Sequence, residues 1–248
     1  MDYDQYAPTY AWAREAVPWV LAPLARAAEL LPSGSTVLEA GCGTGNYIGA
    51  LASLRPELAY IGFDVSQPML DVASTRAPTV RFIRADATEA FPCEDHSCRL
   101  VFAVDVVHHL GDVEPFFREV RRALRLDGRL IIVTDSEHTM RARSLTRFFP
   151  EILALERERY PDPQQLKVAA SNAGLAAAWE EPAVGDIPLS DEFLSKLEAK
   201  CSSAMRLLPD HVHAAGMARV RAAQAEGASW RSHYLVLHFA PSSSPALG

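Results

Sequence analysis

Thr36-Val37-Leu38-Glu39-Ala40-Gly41-Cys42-Gly43-Thr44-Gly45-Asn46 decides how this chain is read. Residues 36–39 form a short β-branched and apolar run, the signature of a buried strand. Three glycines at alternate positions follow it, and each allows a tight turn and a close approach to a ligand that a Cβ would exclude. Residues 45–54 then read as a helix, whose N-terminus carries free N–H groups. Strand, glycine turn and helix in that order build the ligand-binding end of an open α/β sheet.

Outward from this stretch the pattern repeats. Residues 60–64, 80–83, 100–104 and 129–134 read as strands, and 67–76 and 113–125 as the helices between them. Such alternation predicts βαβ units and a parallel sheet buried on both faces. Upstream, residues 14–31 carry helical spacing interrupted by Pro18 and Pro23. Beyond residue 137 the rhythm changes: 140–158 and 163–174 read as helices, 176–179 and 234–239 as strands. Between those strands lies a helical insertion, residues 190–226, too long for an ordinary hairpin loop. It is either a lid over a substrate pocket or a structural prop.

Composition sets the frame. A chain of 248 residues with 49% hydrophobic content fits one core. No apolar run approaches the 18 or so residues of a membrane span, and Asp2 and Asp4 leave no basic leader at the N-terminus. Four cysteines without framework spacing predict reduced thiols and a cytoplasmic protein. The net charge of −7 argues against a large nucleic-acid footprint, so no nucleic acid and no membrane is expected as partner. Oligomeric state stays open.

Carboxylates mark the strand ends. Asp64 ends the second strand about 20 residues after the glycine turn, the position that accepts hydrogen bonds from ribose hydroxyls in any adenosine cofactor. Asp86 ends the third strand and Asp105 the fourth. Glu39, two residues before the first glycine, sits badly beside a pyrophosphate but suits a ligand with an ammonium group. The G-x-G-x-G spacing also departs from the dinucleotide pattern.

On these residues the chain resembles the class I, Rossmann-like S-adenosylmethionine-dependent methyltransferases, most of all their small-molecule branch of the ubiquinone-biosynthesis type. The resemblance covers residues 36–136 well. It implies a doubly wound, mainly parallel seven-stranded sheet with an antiparallel terminal hairpin, in a single domain. That domain divides into an N-terminal cap (1–35), a cofactor core (36–136), a C-terminal part (137–240) and a tail (241–248). It further implies that S-adenosylmethionine is the cofactor. Glu39, Gly41, Gly43 and Gly45 would hold its methionine part and Asp64 its ribose; Met69 would cover the adenine, with Asp86 and Ala87 at the adenine edge. Asn46, Val65, Val104 and Asp105 are read as further contacts, and Tyr10 or Tyr6 as a cover from the N-terminal segment. The acceptor is expected to be a small molecule. An RNA methyltransferase, a non-catalytic cofactor-binding subunit and an NAD-dependent oxidoreductase are the competing readings.

Weaker signals complete the set. His108 and His109 follow the fourth strand, and an imidazole there can serve as catalytic base near neutrality. Arg143 and Arg147, at i and i+4 of a helix, read either as a clamp for an anionic substrate group or as a solvated basic face paired with Glu151, Glu156 and Glu158. Cys201, Ser202, Met205 and Arg206 of the insertion are read as pocket lining. Cys93-x-x-His96-x-Cys98 lacks the second half of a metal site, and no metal is expected.

Overall fold

The computed structural model describes residues 7–200 and 202–242. At its centre runs β1 (Thr36–Ala40), with Val37 on one face of the sheet and Leu38 and Ala40 on the other. The same alternation runs through β4 (Cys98–Val104) and β5 (Leu124–Thr134). Leu100, Phe102, Ile131 and Val133 share Val37's side, while Val101, Ala103, Leu130 and Ile132 share that of Leu38. Apolar side chains at period two on both faces require a helical layer on each. One layer is α2 (Pro18–Glu29), α3 (Asn46–Leu54) and α4 (Gln67–Arg76); the other is α5 (Glu114–Ala123) and α9 (Pro163–Asn172).

Adding β2 (Ala59–Asp64), β3 (Arg81–Arg84), β6 (Leu175–Pro188) and β7 (Ser229–Pro241) gives one seven-stranded sheet in the order β3-β2-β1-β4-β5-β7-β6. β1 to β5 are parallel, and β7 runs antiparallel to both of its neighbours. Chain order reverses between β1 and β4, which opens a crevice at the carboxyl ends of the strands.

The flanking regions differ from the sequence reading. The helical spacing read over residues 14–31 becomes α2 alone, while residues 14–17 link it to a separate α1 (Ala7–Ala13), with Val17 extended and Pro18 in the first turn, where its missing N–H costs nothing. Residues 140–158 are not one helix but α6 (Glu137–Ala142), α7 (Ser144–Phe148) and α8 (Ile152–Arg159). Arg143 is extended (φ −93°, ψ 155°), and Pro150 separates α7 from α8. The terminal hairpin is far longer than expected, pairing from Leu175 with Pro241 to Pro188 with Ser229, so Pro241 belongs to β7 rather than to the tail.

The insertion is helical as expected: α10 (Asp191–Glu198), α11 (Ser203–Arg206) and α12 (Asp210–Ala225). Its apolar residues, among them Leu194, Leu197, Met217 and Val220, form a third core with Phe149, Ile152 and Trp230. Among the described residues no helix is long and apolar enough to cross a membrane.

Candidate functional site

The glycine turn takes positive φ at Gly41, Gly43 and Gly45 (65°, 51° and 73°), a region that side chains strain to enter. At Gly41 a Cβ would also stand 2.6 Å from Val106, whereas at Gly43 it would meet nothing nearer than Tyr10 at 3.9 Å. The Gly43 face is therefore open to a ligand. Carboxylates fix the turn from two sides. Asp64 accepts from Gly43 N–H at 2.8 Å and from Ser66 N–H at 3.0 Å. Glu39 accepts from Ile48 N–H at 3.0 Å, capping α3, whose own N-cap is the side-chain-free Gly45. Burial drives the Glu39 carboxyl well above its usual range, against the lowering effect of that N–H and with Asp64 adding to the rise. Arg76 of α4 completes the frame by donating to Thr44 O and Asn46 Oδ1 of the turn and to Ala11 O of α1.

Two cavities open at this end of the sheet. The larger, about 430 Å³, is bounded by Asp64, Val65, Met69, Asp86, Ala87, His108 and His109. Asp86 stands there in a tight turn, accepting from Thr88 N–H and Oγ1 at 2.8 and 2.7 Å. The smaller, about 160 Å³, lies under the insertion and is walled by Leu145, Ile187, Phe193, Leu197, Met205 and Trp230, with Tyr47, Tyr234, Glu39 and Asn46 toward the sheet. Tyr10, Arg14, Gly41, Gly43, Val104 and Asp105 line both. These six residues are the seam between the two cavities.

Asp105 is the strained member of that seam, a non-glycine residue at φ 59°. Its carboxylate accepts from the Tyr160 hydroxyl at 2.6 Å and pairs with Arg14 at 3.2 Å. Burial opposes its ionisation, but His108, Arg14, Tyr160 and Arg143 outweigh burial and hold it down at about 2. His108 stacks on Tyr160 at 4.1 Å, and burial depresses its pKa to about 3, so the imidazole is neutral and a weak base at neutral pH. His109 is exposed. Both histidines line the larger cavity, and neither lines the chamber under the insertion.

The predicted substrate residues scatter. Arg143 is not free to clamp an anion, because Asp135 and Glu156 hold it in a buried ion triad. Arg147 is exposed over the Phe148 ring, and the extended backbone at Arg143 removes the shared helical face. Met205 and Ser202 do line the chamber, while Arg206 lines the larger cavity instead. Tyr6 and Cys201 lie outside the described residues. His96 Nδ1 lies 3.0 Å from Leu124 O. Arg14, Tyr47, Tyr160 and Tyr234 were missed. Arg14 and Tyr160 meet Asp105 across 91 and 55 residues, and no local pattern encodes such contacts.

Residues 38–132 match the family described as "Methyltransferase domain". The matched stretch runs from β1 into β5 and holds the glycine turn, and it is less than half of the chain. A methyltransferase from an antibiotic biosynthesis pathway of Anabaena variabilis superposes on this stretch and its surroundings with TM-score 0.70 at 19% identity, over 91% of this chain and 98% of the other. Phosphoethanolamine N-methyltransferase 2 of Haemonchus contortus, solved with phosphomonomethylethanolamine and S-adenosylhomocysteine, gives TM-score 0.62 at 19% identity over 97% of this chain and 58% of the other. In sequence, the tRNA (carboxymethyluridine(34)-5-O)-methyltransferase of Arabidopsis thaliana is 33% identical over 135 residues, 53% of this chain. The chain spans only 31% of the length of that relative. Relatives of the same name in mouse and yeast overturn the expectation that nucleic acid is excluded. Net charge sums over the whole surface of the chain, whereas nucleic-acid contact depends on the local field.

Proposed function

We propose that this chain transfers the methyl group of S-adenosylmethionine to an acceptor that enters the chamber under the helical insertion. The observation that carries this is the seam: a cofactor-sized cavity and a second chamber, apolar on the insertion side and polar at Glu15, Arg143, Arg231 and His233, meet at Gly41, Gly43 and Asp105. The larger cavity fits the cofactor, since about 430 Å³ lies within the roughly 300–1,000 Å³ that buries small ligands, and the Gly43 backbone faces it without obstruction. Asp64 would hold the ribose hydroxyls and Asp86 the adenine edge, with Met69 and Val65 against the base, while Glu39, which lines the smaller cavity next to the seam, would take the amino group of a methionine part that reaches across it. The cofactor supplies an already activated methyl on a sulfonium.

The chain's own work is then binding, orientation and exclusion of water. Asp105, fixed by Tyr160 and Arg14, sets the geometry of the seam. The wall of Leu145, Ile187, Phe193, Leu197, Met205 and Trp230 keeps the chamber dry, while the Tyr47 and Tyr234 phenols supply polar contacts beside it. A small, largely apolar acceptor fits such a wall, in keeping with the small-molecule branch the sequence resembles. The tRNA methyltransferases among the relatives favour a second reading, in which the group that enters is carried on a nucleotide.

Transfer of tritiated methyl from S-adenosylmethionine by the full chain, into a low-molecular-weight cell extract and into total tRNA, tests both. Label in the extract supports the small acceptor, and label in tRNA establishes the second reading. Label in neither, with S-adenosylhomocysteine still bound, overturns transfer and leaves a binding subunit.

A further inference from the structure

We propose that Tyr234 selects the acceptor, its hydroxyl donating a hydrogen bond to a neutral oxygen on an otherwise apolar molecule; this rests on the reading that the chamber under the insertion takes the acceptor. Side chains alternate along a strand, so Trp230, Ser232 and Tyr234 of β7 share one face, and all three line that chamber. Trp230 is buried in the core of the insertion. Tyr234 packs instead at the sheet, against the cluster that holds Val37 and Val236. Its hydroxyl bonds to no described residue, yet the chamber leaves it accessible. Other phenols at this end are engaged: Tyr160 donates to Asp105 at 2.6 Å, and Tyr47 has the Val17 backbone as a partner.

Burial pushes the Tyr234 hydroxyl up to about 12, against the lowering effect of Arg14 and with Asp105 and Asp135 adding to the rise. It therefore keeps its proton at neutral pH and acts as a donor. The influence of Arg14 and Asp105 also places it near the seam, where the methyl would be delivered. A donor withdrawn from bulk water and left without a partner favours a guest that brings a lone pair. The surrounding charges make that guest neutral. Every arginine that lines the chamber among the described residues is already paired with a carboxylate: Arg14 with Asp105, Arg143 with Asp135 and Glu156, and Arg231 with Asp186. Burial, His138 and Arg231 lower the His233 pKa, so that imidazole adds no cation at neutral pH. An anionic acceptor would meet these carboxylates without a cation of its own.

At about 160 Å³ the chamber admits a single ring, since a dry cavity of roughly 150 Å³ holds benzene. The test is NMR titration of the full chain, in the presence of S-adenosylhomocysteine, with three one-ring probes: phenol, toluene and benzoate. Phenol should bind the parent more tightly than benzoate. In Tyr234→Phe the phenol affinity should fall about tenfold while toluene stays within about twofold of the parent. Equal weakening of phenol and toluene means the Tyr234 ring acts by packing, and overturns the hydrogen bond alone; no weakening of either does the same. A selective loss of phenol in Tyr47→Phe, with none in Tyr234→Phe, moves the donor to the other phenol and overturns the assignment too. Benzoate binding more tightly than phenol overturns the neutral acceptor. Probe binding that survives Ile187→Trp, or a parent that binds none of the three, overturns the chamber reading itself.

Discussion

Glu39 is tied into the fold and, on the proposed reading, also meets the ligand, and the two roles pull in opposite directions. It caps α3 through Ile48 N–H, yet burial raises its pKa above 4.5. The folded chain thus binds that proton more tightly than the unfolded chain does, and stability falls as pH rises from the ordinary value toward the raised one. Glu39→Gln keeps an oxygen for Ile48 and removes the charge. Thermal melts should show a higher melting temperature than the parent at neutral pH, with the advantage vanishing in acid. S-adenosylhomocysteine should meanwhile bind more weakly by about 1.5–3 kcal/mol. A lower melting temperature at neutral pH would show that the carboxylate stabilises the folded chain. Asp64→Ala removes both a ribose acceptor and the partner of Gly43 N–H, and calorimetry should record a loss of similar size, about 1.5–3 kcal/mol. Unchanged affinity would place the ribose elsewhere. Both carboxylates were legible because their spacing from the glycines is local, whereas Arg14 and Tyr160 reach the seam only through the tertiary fold.

Among the elements, the linkage of β5, α7 and α8 depends on the Arg143 triad. Arg143→Met would leave the Asp135 and Glu156 carboxylates buried without their cation, a change that typically costs about 3–5 kcal/mol. The urea midpoint should fall accordingly, and a loss below about 1 kcal/mol, the scale of an exposed pair, would mean the triad is open to water. In α12, a Cβ at Gly216 would stand 2.1 Å from the Phe149 ring. Gly216→Ala gains about 1 kcal/mol of helix propensity but incurs about 1–3 kcal/mol of overpacking, so the same denaturation should show a net loss. A stabilised variant would mean α12 and α7 can part without cost. The central parallel strands β1, β4 and β5 could be read from sequence because their apolar runs are buried on both faces. β6 could not: it is an edge strand whose residues 176–180 are exposed, so only a short part of it shows a strand pattern. Likewise the break at Arg143 is set by its buried carboxylate partners, which local spacing does not announce.

For the molecule as a whole, two cavities share one seam, and the proposed function divides the work between them as a cofactor end and an acceptor end. Ile187 is half-buried at the rim of the chamber, so Ile187→Trp fills that space with little overpacking elsewhere. S-adenosylhomocysteine affinity should stay within a few-fold while methyl transfer drops by about tenfold or more, the scale of losing acceptor positioning. Undiminished transfer in a folded variant would move the acceptor out of the chamber. Ahead of the choice of acceptor comes the cavity itself. Titration calorimetry of the full chain with S-adenosylhomocysteine, and in parallel with NAD, addresses it most directly. If Glu39, Asp64 and Asp86 form an S-adenosylmethionine site, the first gives saturable one-site heat and the second none; heat with NAD, or none with S-adenosylhomocysteine, contradicts it.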